Sequence, residues 1–290
     1  MQGHVPQKVD RAAFGRYGIV LLLSAGVSAL DVKDLLQSRT ETTQAFHDGT
    51  RSPLAAVARH DFQGDRWLSF GSAEDDDARL EGVPAHALKI RALKDSFETE
   101  QDGKVTPLPA GAKARVQVGR YVLRLSHQNF PGVVVLDPQS PALKTGPFPV
   151  WFEPDPAARV EAKLVPEAQP REEIVLSTRG NKRRALRLGK LVFELQGKQL
   201  SLTALRLLEP GTGEAAVSIF FRDQTTGHES YPVGRYIDAE KLADDRYALD
   251  FNRAYNPTCA FSPLYNCPIP PRENVLSVPV RAGERDPGGH

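Results

Sequence analysis

The stretch R-A-L-R-L-G-K-L-V-F-E-L-Q-G-K-Q-L-S-L-T-A-L-R-L-L, residues 184–208, decides the fold class of this chain. It contains three short runs that predict strands, at 184–188, 190–195 and 200–208. Gly189 and Gly197 separate the runs and mark turns. Regular short strands with glycine-containing turns are typical of an antiparallel β-sandwich or barrel.

The same pattern extends in both directions, and we predict an all-β fold, mostly antiparallel, over residues 88–285. A short helical N-terminal extension is predicted over residues 30–70, an acidic loop over 71–87 and a disordered tail over 286–290. One further short helix is predicted at 238–244. The 290 residues include 23 glycines and 23 prolines, a content that favours a turn-rich β fold.

The first 29 residues predict a secretory signal peptide. Basic residues precede the apolar run 18–29, and Val27 and Ala29 are small residues placed like a cleavage site. The run is shorter than the roughly 20 apolar residues that cross a bilayer, so no integral membrane segment is expected in the mature chain. The sequence therefore predicts a periplasmic or secreted protein, with a buried N-terminal helix or an uncleaved anchor as the alternative.

The proline-rich stretch from Leu249 to Glu284 contains both cysteines of the chain, Cys259 and Cys267. Because proline fixes φ and biases its predecessor toward extended backbone, the stretch predicts a rigid, non-repetitive loop. Two cysteines in an exported chain usually oxidise, so we predict a disulfide between them. A free or nucleophilic thiol and a metal ligand are the alternatives, although the C-x-x-C redox spacing is missing.

Polar residues near the cysteines and in the preceding hairpin form the candidate ligand site. The candidates are Asp223, Arg235, Asp250, Asn252, Tyr255 and Asn256. We expect the loop 252–274, closed by the disulfide, to pack beside the hairpin 222–235, and this junction is the candidate site. The guanidinium of Arg235 would suit a carboxylate or phosphate. The structural alternatives are a salt bridge between Asp223 and Arg235, and a role for Asp250 and Asn252 in satisfying backbone groups of the loop.

Function is predicted only at the level of class. The net charge of +1 argues against a nucleic-acid partner, and no metal-ligand spacing, cofactor motif or nucleophile motif is present in the sequence. We predict a binding protein for a small polar molecule or saccharide in the cell envelope. The alternative is a hydrolase that uses Asp223, Asp250 or Glu273 for acid–base catalysis, with Arg235 and Asn252 positioning the substrate.

The two hypotheses predict different pockets. A hydrolase requires at least two titratable groups that converge in one pocket. A binding protein should instead have aromatic walls, such as Trp151, Tyr255 or Tyr265, with few convergent acids.

Several strings of the chain resemble a bacterial family catalogued as domain of unknown function 1684. The C-terminal strings are L-D-F-N-x-A-Y-N-P-x-C-A-F, C-P-x-P-P-x-E-N and R-A-G-E, and the upstream ones are V-V-L-D-P-Q-S-P at 134–141, S-T-R-G-N-K-R-R at 177–184 and F-F-R-D-Q-T-T-G-H-E-S-Y-P-V-G-R-Y at 220–236. These strings lie between residues 134 and 284, and the resemblance covers roughly residues 60–285. The resemblance implies no activity and transfers no catalytic residue to this chain.

Overall fold

A computed structural model describes residues 28–111 and 114–288 of the protein. The α-helices are α1 (Val32–Phe46) and α2 (Ala142–Thr145), and single 3-10 turns lie at Pro53–Ala55, Pro156–Ala158, Phe251–Arg253 and Thr258–Ala260. The strands are β1 (Ala56–Asp61), β2 (Leu68–Gly71), β3 (Ala78–Arg79), β4 (Leu88–Ala92), β5 (Ser96–Gln101), β6 (Lys104–Pro109), β7 (Arg115–Val118), β8 (Tyr121–Ser126), β9 (Gly132–Leu136), β10 (Arg159–Leu176), β11 (Lys182–Leu195), β12 (Lys198–Leu207), β13 (Ser218–Phe221), β14 (Arg235–Lys241) and β15 (Arg246–Asp250).

Two sheets form the N-terminal part of the β structure. One has the strand order β1-β9-β8-β7 and the other the order β3-β2-β4-β5-β6, in which only the short contact between β2 and β3 is parallel. Their shared core contains Phe70, Ile90, Phe97, Leu123 and Val133, all of which are inaccessible to solvent. On β8, Leu123 and Leu125 enter this core, so Arg124 between them points to the opposite face.

Strands β10 to β15 close into an antiparallel barrel, because β15 pairs with both β14 and the start of β10. The pairing of β11 with β12 shifts between Arg187 and Gly189, and the pairing of β10 with β11 shifts between Pro166 and Arg171. Gly189 has φ 152, and a Cβ there would lie 2.3 Å from the carbonyl oxygen of Val165. Only glycine tolerates this close approach, so the turn signal read from the sequence is a bulge inside one continuous strand.

The C-terminal segment (residues 251–288) runs across the barrel with few regular hydrogen bonds. Isolated bridges join it to the rest of the chain, and they pair Tyr255 with Tyr236, Pro268 with Ser177, Val275 with Arg222 and Glu284 with Trp151. Four alternate residues along it, Leu276, Val278, Val280 and Ala282, are buried in the barrel core. The segment is therefore extended and anchored by its side chains, and it lies beside the hairpin 222–235 as expected.

Helix α1 packs on this segment through one face. Asp31 caps the helix by accepting a hydrogen bond from the amide of Asp34 at 3.0 Å. Leu35 is buried, and Phe46 at the other end meets Phe261 edge-on with ring centroids 4.5 Å apart. Arg39 follows Leu35 by four residues, so it lies on the same inward face.

The predicted all-β, mostly antiparallel fold class is confirmed, and several local predictions are wrong. The helical extension over 30–70 ends its α-helix at Phe46 and contains β1 and β2, and the acidic loop 71–87 contains β3. In place of the helix expected at 238–244, residues 238–241 are the end of β14, because pairing with β15 closes the barrel there, and residues 242–244 connect the two strands. Tertiary pairing overrides the local helical pattern in both places.

The predicted signal peptide falls almost entirely on residues 1–27, which lie outside the described residues, as do residues 289–290 of the predicted tail. No helix in the described part of the chain has both the length and the apolar character needed to cross a membrane.

Candidate functional site

Asp223 and Arg235 form an ion pair whose side chains are completely buried, with 2.7 Å between the carboxylate Oδ2 and Nη2. The guanidinium also donates to the carbonyls of Val280 at 2.8 Å and Glu284 at 3.0 Å. Burial lowers the pKa of Arg235, and the charge of Asp223 opposes this shift. The pair holds the C-terminal segment against β14, which is the structural alternative to a ligand-binding role.

Asp250 and Asn252 lock the turn that follows β15. The Asp250 carboxylate accepts from the backbone amide of Asn252 at 3.1 Å and from its side-chain amide at 3.0 Å, and it pairs with Arg159 at 3.2 Å. The Asn252 carboxamide also makes two 2.8 Å bonds with the backbone of Asp155, one as acceptor and one as donor. These contacts match the prediction that the two residues satisfy backbone groups.

A cavity of about 440 Å³ lies between α1, the N-terminal sheet and the C-terminal segment. Five of its lining side chains are arginines: Arg39, Arg51, Arg115, Arg124 and Arg253. Five are aromatic: Phe46, Trp151, Tyr255, Phe261 and Tyr265. Glu284 is the one acidic residue among those that line it. We call this cavity the arginine pocket.

Three arginines of the arginine pocket have no carboxylate within salt-bridge distance among residues 28–111 and 114–288. Arg39 donates to the carbonyls of Phe152 at 2.9 Å and Asn252 at 3.4 Å, and its buried Nε has no partner there. Arg115 donates at 3.4 Å to the carbonyl of Thr50, and its buried Nε likewise lacks a partner.

Arg124 is the third of these arginines, and it lies over the ring of Tyr265 with 5.5 Å from the guanidinium carbon to the ring centroid. The other two arginines of the pocket are neutralised. Arg253 pairs with Asp34 and Asp250, and Arg51 pairs with Asp48 at 3.5 Å. The pocket therefore contains guanidinium groups that are free of a carboxylate partner among the described residues and can bind an anion.

Two buried residues of the C-terminal segment, Glu284 and Asn256, also line the arginine pocket. Glu284 is 5% exposed, and its Oε2 accepts from the backbone amide of Asn256 at 2.8 Å. Burial raises the pKa of Glu284 to about 7, against the opposing charges of Arg235 and Arg39. Asn256 is 4% exposed and donates from Nδ2 to the carbonyl of Arg285 at 2.7 Å, but its Oδ1 has no partner among the described residues.

Aromatic rings form the walls of the arginine pocket. Trp151 carries Arg39 on its face at 5.8 Å, and Tyr255 stacks edge-on against Tyr236 with centroids 5.8 Å apart. Tyr255 is 37% exposed and donates its hydroxyl to Asp238 at 3.4 Å. Trp151, Tyr255 and Tyr265 are the aromatic residues that the binding hypothesis named in advance.

The structure divides the predicted site residues into two groups. Asn252, Tyr255 and Asn256 line the arginine pocket, whereas Asp223 and Arg235 do not. Asp250 touches Asn252 but lines a separate depression with Arg159. A ligand-binding role for any of these residues stays a prediction.

Cys259 and Cys267 are free thiols, so the predicted disulfide is wrong for this structure. The backbone amide of Cys259 donates to the sulfur of Cys267 at 3.3 Å, and the amide of Cys267 is bonded to the Thr178 hydroxyl at 3.1 Å. A hydrogen bond from the Cys267 thiol lowers the pKa of Cys259 to about 7, and the same bond raises the pKa of Cys267. The two thiols are hydrogen-bonded to each other. Their spacing of eight residues in the sequence is compatible with this contact and with a disulfide, so it could not predict which one forms.

The carboxylates of the hydrolase hypothesis do not share the arginine pocket. Asp223 is paired with Arg235, Asp250 with Arg159, and Glu273 with Arg187 at 2.6 Å. No group of three or more metal-ligating side chains with a geometry for a metal ion occurs in the described residues. The chemistry that the pocket favours is therefore recognition of an anion.

Sequence reasoning missed the residues that give the arginine pocket its charge. Arg39, Arg115 and Arg124 come from a helix and two strands that precede the C-terminal segment by more than a hundred residues. Their spacing carries no motif, and only the fold brings them together. Glu284 was visible as the last residue of the string R-A-G-E, but nothing in the sequence distinguishes it from a surface acid.

Comparisons with known proteins agree with the resemblance seen in the sequence. The model of a family described as "Protein of unknown function (DUF1684)" matches residues 150–285. No curated protein matches the chain. The restriction to bacteria is not tested by these matches and stays a prediction.

One similar solved structure is the solution NMR structure of an uncharacterized protein of Haloarcula marismortui. It is 38% identical to this chain, and the alignment covers 49% of this chain and 78% of that one, with a TM-score of 0.41.

Proposed function

We propose a binding function for this chain, which belongs through residues 150–285 to the family described as "Protein of unknown function (DUF1684)". The protein holds a small anionic molecule in the arginine pocket. A phosphate or carboxylate group is the feature recognised, because the planar guanidinium fork matches the oxygen geometry of both.

The observation that supports this proposal is the convergence of Arg39, Arg115 and Arg124, each without a carboxylate partner among the described residues, on one cavity. A partly buried charge that lacks a counter-ion is unfavourable, and natural folds usually neutralise it. Arg187 shows the usual solution on the barrel, where three glutamates surround one guanidinium. In the arginine pocket, Glu153, Asp250 and Glu284 act on Arg39 only from beyond salt-bridge distance. A ligand anion would supply the close partner.

The dimensions and walls of the pocket support a small molecule. A volume of about 440 Å³ lies in the range of about 300–1,000 Å³ that is typical of small-molecule sites. Its aromatic residues provide apolar surface, and the arginines supply the few polar anchors that fix a ligand. A hydrolase with two carboxylates is less well supported, because Glu284 alone supplies a carboxylate among the lining residues.

We also propose that the protein works in the periplasm or outside the cell, from the signal-peptide pattern of residues 1–29. Fractionation of cells that produce the full chain, followed by determination of the mature N-terminus, tests this proposal. Protein that stays in the cytoplasm with an intact N-terminus would refute it.

Titration with small anions tests the binding proposal. Inorganic phosphate, citrate and cyclohexyl phosphate are titrated by calorimetry into the wild type and the variants Arg115→Ala and Arg124→Ala. We expect at least one anion to bind, and each variant to bind it about tenfold or more weakly, because a charge-assisted hydrogen bond contributes about 1.5–3 kcal/mol.

The matched control is Arg184→Ala, which removes the same charge from an exposed pair with Glu172 at 2.7 Å. Its affinity should equal that of the wild type. The proposal fails if no anion binds, or if all three variants bind equally well.

A further inference from the structure

We propose that the anion is hydroxylated, as in a sugar phosphate or polyol phosphate, and that Glu284 and Asn256 accept hydrogen bonds from its hydroxyl groups. This inference rests on the proposed anion-binding function and adds the chemical class of the ligand. It assigns two sets of pocket side chains different tasks: the arginines bind the anionic group, and Glu284 and Asn256 accept from the hydroxyls.

The amide of Asn256 is fixed with its oxygen left without a partner. Its Nδ2 donates to the Arg285 carbonyl at 2.7 Å, and an amide turned the other way would place two acceptors face to face. Oδ1 is therefore the atom that remains, buried and without a partner in the described residues. An unsatisfied buried acceptor is costly, and a donor brought by a ligand would remove that cost.

Donors on the neighbouring side chains are already used. Both hydrogens of the Asn252 amide go to Asp155 and Asp250, and the Tyr255 hydroxyl donates to Asp238. The backbone amide of Asn256 donates to Glu284. At Asn256 the C-terminal segment therefore leaves an acceptor without a donor, and a ligand hydroxyl would supply that donor.

Neutral hydroxyls fit these acceptors better than an ammonium group. Three of the lining arginines have no salt bridge among the described residues, and Glu284 supplies the one carboxylate of the lining, so a ligand cation would meet net positive charge. Arg39 acts directly on Glu284 through its charge. Trp151 and Tyr255 also line the pocket, and their rings provide apolar surface for the C–H groups of a sugar or cyclitol.

A comparison of ring phosphates with and without hydroxyl groups tests the inference. myo-Inositol 1-phosphate, with glucose 6-phosphate as a second hydroxylated probe, is compared by calorimetry with cyclohexyl phosphate, which has the ring and phosphate but no hydroxyl groups. We expect a hydroxylated phosphate to bind at least about tenfold more tightly than cyclohexyl phosphate, since a site built for hydroxyls disfavours an analogue that lacks them.

The variants Glu284→Gln and Asn256→Leu should bring this ratio of affinities to within about threefold of one, since each loses an acceptor. Glu229→Gln, an exposed carboxylate paired with Arg281 at 2.8 Å, is the control that should keep the wild-type ratio. Near-ultraviolet circular dichroism checks that each variant is folded. If a variant is not folded, the ratio of affinities measured with the wild type decides whether the hydroxyl assignment holds.

Failure of the inference is distinguishable from failure of the proposed function. If cyclohexyl phosphate binds and the hydroxylated phosphates bind no more tightly, anion binding stands and the hydroxyl assignment is wrong. If the wild-type ratio survives in both pocket variants, the assigned acceptors are wrong. If neither these phosphates nor the simple anions bind, both proposals fall.

Discussion

Arg235 and Arg124 have the same type of side chain, but they differ in burial and in the groups that contact their guanidinium. Arg235 is completely buried, and it is matched by the Asp223 carboxylate and by backbone carbonyls of the C-terminal segment. Arg124 is half-buried on β8, and its contact is the ring of Tyr265. The buried Asp223 carboxylate makes Arg235 part of the architecture, although its Nε has no hydrogen-bond partner among the described residues. Arg124 lacks a carboxylate at salt-bridge distance there and is therefore available to a ligand.

This difference shows how a structural arginine and a binding arginine are told apart. The residue type and its conspicuous motif favoured Arg235 as the ligand residue, since it follows F-F-R-D-Q-T-T-G-H-E-S-Y-P-V-G in the sequence. Arg124 lies in strand β8, and no motif in the sequence includes it. Pairing in the folded state, and not the motif, separates the two roles.

Breaking the buried pair should have the largest effect on stability. Asp223→Ala leaves the Arg235 guanidinium buried without a counter-ion, and we expect the free energy of unfolding to fall by about 3–5 kcal/mol. Urea denaturation followed by circular dichroism measures this change. A loss below about 1 kcal/mol, the value typical of exposed pairs, would mean that Arg235 is not structurally essential.

Glu284 sharpens the comparison because it is buried, lines the arginine pocket, and interacts with the charges of both Arg235 and Arg39. Its pKa is about 7 in the folded chain against an ordinary value of 4.5, so the native state holds a proton that the unfolded state has already lost between these pH values. The free energy of unfolding should therefore decrease as pH rises from about 4.5 to 7. The decrease is on the order of 3 kcal/mol, at about 1.4 kcal/mol for each pH unit of the shift.

Glu284→Gln should remove this dependence, because the amide does not ionise. Urea denaturation of both proteins at pH 5 and pH 8 measures the difference, and we expect the variant to gain stability relative to the wild type at the higher pH. Parallel losses in the two proteins between pH 5 and pH 8 would contradict the assignment to Glu284.

An exposed arginine pair gives the smallest expected effect and completes the series. Glu172 holds Arg184 at 2.7 Å, but both side chains are more than half exposed. We expect Glu172→Ala to change the free energy of unfolding by only about 0–1 kcal/mol, because water and salt screen such a pair. An effect as large as that of Asp223→Ala would remove burial as the reason for the difference.

The sequence predicted the general form of the fold better than its elements. Alternation and turn residues were sufficient for an antiparallel β fold, and most strand positions between residues 88 and 250 followed. The segment 238–244 looked helical, but residues 238–241 are the end of β14, because β14 must pair with β15 to close the barrel. Residues 242–244 belong to the connection between these two strands. Cys259 and Cys267 were correctly placed near one another, but spacing cannot distinguish two hydrogen-bonded thiols from a disulfide.

By itself, the sequence determined that the chain is β-rich, that a proline-rich C-terminal segment is held in extended form, and that Asn252, Tyr255 and Asn256 lie together on it. These properties depend on local backbone preference and on short sequence separation. Only the tertiary structure decided which charges are neutralised. Arg124 faces the pocket because Leu123 and Leu125 enter the sheet core, and Arg39 does so because Leu35 turns its helix face inward. Whether a guanidinium meets a carboxylate depends on which distant elements pack together, and that information is present in no single stretch of the chain.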